Sequence, residues 1–131
     1  MNQASPPKTL AIDFGTKRIG LAVSFGTLAE PLEIIENNPQ ALDKIATICR
    51  EQQIAQLLVG ISEGEMAEKT QTFIKTLQAK IDLPLLMADE TLTTKVAEDK
   101  LHEGTGTTRH GVDQYAAAVM LQEWLDEQGL I

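Results

Sequence analysis

From Lys8 to Ile35 the chain carries three apolar runs, "KTLAID", "RIGLAVS" and "LAEPLEII", joined by links of only four and three residues. A parallel crossover needs about a dozen residues, so strands joined this tightly must turn back on one another. The segment is therefore expected to be an antiparallel meander. Each link carries a glycine. Gly15 in "FGTK" is read as free to take a positive φ, and Gly26 makes the second turn. Pro31 has no N–H to donate, which suits an edge, and the third strand is read as shorter than the other two.

The period then changes. In "NNPQALDKIATICREQQ" Asn38 can cap a helix and Pro39 fits its first position. Leu42, Ile45, Ala46, Ile48 and Cys49 recur at helical spacing. "IAQLLVGI" is apolar apart from Gln56, as expected of a strand covered on both faces. "EMAEKTQTFIKTLQAKI" puts Met66, Phe73, Ile74, Leu77 and Ile81 on one helical side, and "LPLLMADE" follows as a fifth strand. "TTKVAEDKLHEG" reads as a short helix stopped by Gly104, and "TGTTRHGV" as a loop. "DQYAAAVMLQEWLDEQG" reads as a closing amphipathic helix with Ala117, Met120, Leu121, Trp124 and Leu125 inward. Trp124 and Tyr115 are both read as packing residues. This order predicts an α/β fold: a mixed five-stranded sheet, antiparallel meander plus parallel strands, with helices on both faces. Residues 1–7 form a lead-in, and 8–131 form one domain. A hydrophobic content of 43% is enough for a packed core.

Acids fall where this fold would bring chain segments together. Asp13 ends the first strand, Asp89 and Glu90 end the fifth, and Asp113 opens the last helix. Helical crossovers make the first, fourth and fifth strands parallel, so Asp13 and Glu90 leave the sheet at one edge. That edge is where open α/β sheets bind ligands. Taken singly, Asp113 could cap its helix and Asp89 and Glu90 could lie in a solvated turn. Asp13 is harder to explain in that way, because it closes a continuous apolar run. Clustered carboxylates repel one another unless protonated or metal-bound. Oxygen ligands without His or Cys suit Mg²⁺ or Mn²⁺, and a pair of such ions can drive phosphodiester hydrolysis.

Neighbouring cations have two readings. Lys17 and Arg18 either contact substrate phosphate or form a solvated hairpin tip; Lys95 and Arg109 are candidates for a positive rim. Thr91, Thr93 and Thr94 read as helix caps, and His110 as an incidental loop residue. The net charge of −8 argues against a general nucleic-acid coat protein, but not against an enzyme with a local basic rim. Cys49 is the sole cysteine and reads as a core thiol; with no signal-peptide layout, a cytoplasmic setting is expected. No apolar run reaches the roughly 18 residues of a membrane span.

"DFG" matches the protein-kinase metal motif, but no Gly-rich loop or catalytic-loop motif accompanies it. "IDFGT" resembles the phosphate loop of actin-like and sugar-kinase ATPases. Those proteins enclose a nucleotide between two such domains, and 131 residues supply one. A fuller match lies elsewhere. "LAIDFGTKRIGLAVS", "AEPLEII", "LLVGI", "DETLTTKVAEDKL" and "VDQYAAAVMLQEWL", in that order, resemble the motifs of the YqgF/RuvX family, the pre-16S rRNA nucleases of bacteria. The resemblance implies an RNase H-like fold and a metal-dependent endonuclease in 5′-end maturation of 16S rRNA, with Asp13, Glu90 and Asp113 as catalytic metal ligands. Its alternatives are a resolvase of four-way DNA junctions, which would favour a homodimer over a monomer, and a non-catalytic nucleic-acid-binding module. The chain departs from the family pattern after Gly60, where "ISEGEMAEK" lacks the usual Pro and adds Glu63, Glu65 and Glu68. The loop before Asp113 is also poorer in basic residues than is usual in the family, with Arg109 and His110 alone.

Overall fold

The computed structural model of the protein describes residues 6–61, 65–89 and 109–128, with the side chains of 65, 66, 89 and 109–114 outside the description. The lead-in through residue 5 and the expected helix with its Thr91, Thr93 and Thr94 caps lie outside the described residues.

The meander forms as expected. β1 (Thr9–Phe14) pairs antiparallel with β2 (Arg18–Phe25), and β2 pairs antiparallel with β3 (Leu28–Glu36). β3 is not the shortest of the three but the longest, at 9 residues. Its register shifts opposite Leu21 and Ala22, which pair with Glu33 and Pro31, so Leu32 is an extra residue. This bulge lets the strand continue past a proline that cannot join the ladder fully. Pro31, the bulge and exposed Glu30, Glu33 and Glu36 also blunt the strand as a template for edge-to-edge pairing.

α1 (Ala41–Glu51), β4 (Gln56–Ile61), α2 (Glu65–Lys80), β5 (Leu85–Asp89) and α3 (Arg109–Glu127) complete the described elements. β4 pairs parallel with β1 and β5 parallel with β4, giving the sheet order β3-β2-β1-β4-β5. This is the RNase H-like arrangement that the family resemblance implied. The α1 start differs from expectation. Asn38 does not cap the helix; its Oδ1 accepts from the Gln40 N–H in a preceding turn, and Gln40 is the capping position. Pro39 accordingly sits before the helix rather than in it.

Strand alternation divides the core. Leu10, Ile12, Leu57 and Val59 face one layer, closed by Ile45 and Cys49 of α1 and Phe73, Ile74 and Leu77 of α2. Ala11, Ala22 and Leu58 face the other, closed by Ala117, Met120, Leu121 and Leu125 of α3, with Trp124 packed alongside. Each fully buried Leu or Ile contributes about 1.5–3 kcal/mol. Small residues on the α3 side let one helix approach closely, whereas the bulkier side is covered by two. Cys49 is the expected core thiol: burial pushes its pKa up, with nearby Arg50 opposing.

α1 ends in a reciprocal backbone cap. The Ile54 N–H donates to the Cys49 carbonyl and the Gln53 N–H to the Arg50 carbonyl, with Gln53 at φ 56°. Glycine adopts that conformation without the side-chain penalty. Gln53→Gly is therefore expected to raise stability by about 0.5–1 kcal/mol, read as a higher urea midpoint at unchanged slope.

Candidate functional site

Because β1, β4 and β5 are parallel, their C-terminal ends share one edge of the sheet, and Asp13 sits there, next to the last residue of β1. Alternation from Ala11 turns Asp13 toward the α3 layer, where it is half-buried. Its partner across the antiparallel ladder is Gly20. On the other side, Ile12 pairs with Val59, so Asp13 and Gly60 each come next; Gly60 in turn pairs with Ala88. Asp13 is thus flanked along the sheet by residues with at most one side-chain carbon. Leu or Ile at those places would fill the space beside the carboxylate.

The direction of α3 completes the picture. Gln122 Nε2 donates to the Thr27 carbonyl and its Oε1 accepts from the Ala29 N–H, each at 2.9 Å. Those groups lie in the β2–β3 turn and at the start of β3, at the opposite end of the sheet from Asp13. α3 therefore runs from the Asp13 edge toward that turn, and its N-terminal half lies at the Asp13 edge. Asp113 is in this half, one turn before Ala117, which packs in the layer of Ala11. It does not open the helix as expected: α3 begins four residues earlier, so Arg109 and His110 are helical rather than in a loop. Tyr115 is also unlike its expectation, being 51% exposed rather than packed.

Of the remaining expected site residues, Lys17 is exposed at the β1–β2 turn and Arg18 is half-buried at the start of β2, paired in register with Glu36. Glu90 and Lys95 lie outside the described residues, as do the side chains of Arg109 and Asp113. Among the described residues no cluster of three His, Cys, Asp or Glu side chains forms, and the set expected to ligate a metal is described only in Asp13. What is described suits a hard divalent ion in its chemistry: an oxygen donor on a strand, flanked along the sheet by residues with little or no side chain.

The turn after Asp13 is built more tightly than its sequence suggested. Gly15 does not need a positive φ; among the described glycines that belongs to Gly26, at 61°. Gly15 is required by proximity instead, because a Cβ there would meet the Arg18 carbonyl oxygen at 2.5 Å. Asn37, just past β3, bonds the same turn: its Nδ2 donates to the Gly15 carbonyl at 2.7 Å and its backbone N–H to the Lys17 carbonyl at 2.9 Å. Gly20, Gly60, Asn37 and Gln122 were not singled out in the sequence. The glycines interrupting two apolar strands were the available signal for the first pair.

With this geometry established, three comparisons bear on it. The model of the family RuvX, described as Holliday junction resolvase, matches residues 7–127. A pre-16S rRNA nuclease of Roseiflexus sp. (strain RS-1) is 36% identical over 95% of this chain and 98% of its own. Its counterpart in Synechococcus sp. (strain JA-3-3Ab) is 36% identical over 94% of this chain and 86% of its own. Among solved structures, T. thermophilus RuvC in complex with Holliday junction substrate superposes with a TM-score of 0.62 at 15% identity, covering 95% of this chain and 98% of that one. At that identity the likeness is one of fold.

Gly15→Ala tests the tight turn. The added carbon has only backbone to displace, so a loss of about 1–3 kcal/mol in unfolding free energy is expected. Ala at Gly26, where a Cβ meets nothing within 4 Å, carries only the cost of its positive φ and should be milder.

Proposed function

Because the chain belongs to the RuvX family, we propose that it is an endonuclease of pre-16S rRNA 5′-end processing whose active site is the sheet edge marked by Asp13. It is a hydrolase of the RNase H-like superfamily, acting on pre-16S rRNA or on junction DNA. The observation that carries the site reading is the half-buried carboxylate at the end of a central strand, flanked by glycines, with the N-terminal half of α3 at the same edge.

In this reading Asp13, Glu90 and Asp113 hold divalent metal. Glu90 is included because it directly follows Asp89, the last residue of β5, in the sequence. Helical periodicity supports Asp113, which is four residues before buried Ala117. When bound, two Mg²⁺ or Mn²⁺ ions supply an acidified water and charge stabilisation for the departing 3′-oxygen. The chain's own part is to hold three carboxylate groups on strand ends and a helix, so that little reorganises during reaction. Lys17, Arg18, Lys95 and Arg109 are assigned to the phosphates flanking the scissile bond, where they position the strand without reading sequence. With a net charge of −8 the rest of the surface repels a polyanion, so productive approach is confined to the edge bearing metal and cations.

Precursor rRNA is favoured over a DNA junction by relatives that match nearly end to end. The junction reading rests on the family model's description, and it would require two copies of the site, hence a dimer. No helix among the described residues is long and apolar enough to cross a membrane. The cytoplasm, where ribosomes are assembled, is the proposed location.

Purified protein with Mn²⁺ or Mg²⁺ should cut a precursor rRNA fragment bearing the 16S 5′ end. Asp13→Asn, Glu90→Gln and Asp113→Asn should each reduce cutting to background without altering the fold, as judged by circular dichroism. Cleavage that persists in all three variants would sink the proposed site. Selective cutting of a four-way DNA junction would move the substrate to DNA. Failure to cut either substrate despite metal binding would point to a binding module.

A further inference from the structure

The amide of Asn37 bridges two parts of the fold that the sheet itself leaves unconnected. β3 and β1 are separated by β2, so no ladder joins them. Just beyond β3, Asn37 reaches across the end of β2 and bonds both the Gly15 and the Lys17 carbonyls. Those carbonyls lie two and four residues after Asp13, in the turn that carries Lys17. The Lys17 end of the turn is held by backbone, through the Asn37 N–H and the adjoining Arg18–Glu36 pair, whereas the Gly15 carbonyl, beyond the last β1–β2 pair of Phe14 with Ile19, is held by the Asn37 side chain. The side-chain bond also supplies a partner to a carbonyl facing the Asn37 side of the turn in a partly buried setting, where losing a partner is costly.

We propose that Asn37 is a positioning residue for the metal site. By holding the Gly15 carbonyl, its side chain fixes the turn that follows Asp13 and with it the aim of the Asp13 carboxylate; the backbone bond to the Lys17 carbonyl is kept in Asn37→Ala. The inference rests on the three-acid reading above. Asn37 touches neither metal nor substrate in this account. It acts through the backbone that presents Asp13, as partners behind metal ligands commonly do; loss of such a partner weakens metal affinity by about 10-fold or more.

The test measures Mn²⁺ affinity by electron paramagnetic resonance, without nucleic acid, in wild type, Asp13→Asn, Asn37→Ala and Gln122→Ala. Gln122→Ala is the control. It removes a similar amide tie to a turn, but at the opposite end of the sheet. Asn37→Ala is expected to weaken Mn²⁺ binding about 10-fold. Gln122→Ala should lower the thermal midpoint and leave Mn²⁺ affinity within twofold of wild type. Wild-type affinity in Asn37→Ala, with binding weakened in Asp13→Asn, overturns the positioning role alone. Wild-type affinity in Asp13→Asn, or no binding by the wild type, overturns the metal site and this inference with it. Equal weakening in Gln122→Ala and Asn37→Ala assigns the loss to general destabilisation and also overturns the proposal.

Discussion

Parallel pairing of β1 with β4, from Thr9 opposite Gln56 to Ile12 opposite Val59, commits nearly every later element of this chain. A parallel neighbour cannot be reached by a hairpin, so α1 must cross from the end of the meander back to the start of β4. The same requirement places α2 between β4 and β5. Both crossovers cover the same face, which is why Leu10, Ile12, Leu57 and Val59 meet α1 and α2 in one apolar layer. The opposite face is left to α3. That face is built from Ala11, Ala22, Ala29 and Ala88 around Leu58, small enough for one helix to seat closely. Parallel order also puts the ends of β1, β4 and β5 together, and with them the carboxylate that begins the site.

Two amide side chains close the structure at opposite ends of the sheet, and they solve the same problem. A tight turn leaves carbonyl and N–H groups outside the ladders, and each needs a partner when water is partly excluded. Gln122 of α3 satisfies the β2–β3 turn and ties the helix to the sheet. Asn37 satisfies the β1–β2 turn and ties the tip of the meander to the end of β3. Ser24 plays a smaller part in the interior, its hydroxyl accepting the Thr9 N–H at 2.8 Å where β1 begins. Each is a short-range polar interaction made between residues distant in sequence. That is why such residues belong to no local motif.

At three positions the folded chain departs from local preference for one reason. Asp113 looked like a helix opening because Asp is a strong cap and the preceding "TGTTRHGV" is rich in Gly and Thr. Local preference was outweighed, and α3 extends back to Arg109. Gly15 looked like a positive-φ residue because that is the usual reason for glycine in a turn. Its actual constraint, the Arg18 carbonyl 2.5 Å from any Cβ, exists only once the turn is folded. Tyr115 looked like packing because aromatics are scarce and mostly buried, yet its place on α3 is set by which side of the helix Ala116 and Ala117 occupy.

By itself the sequence determined the order of the described elements and most of the faces they bury. A period of two or of 3.6 and the length of a link are local properties that a chain carries before it folds. It also singled out Asp13, since an acid closing an apolar strand is anomalous without any partner in view. Only the tertiary structure decided what surrounds that acid. The flanking of Asp13 by Gly20 and Gly60, the direction of α3, and the reach of Asn37 over β2 depend on strand order and register. Those are relations between distant segments, and no window along the chain contains them.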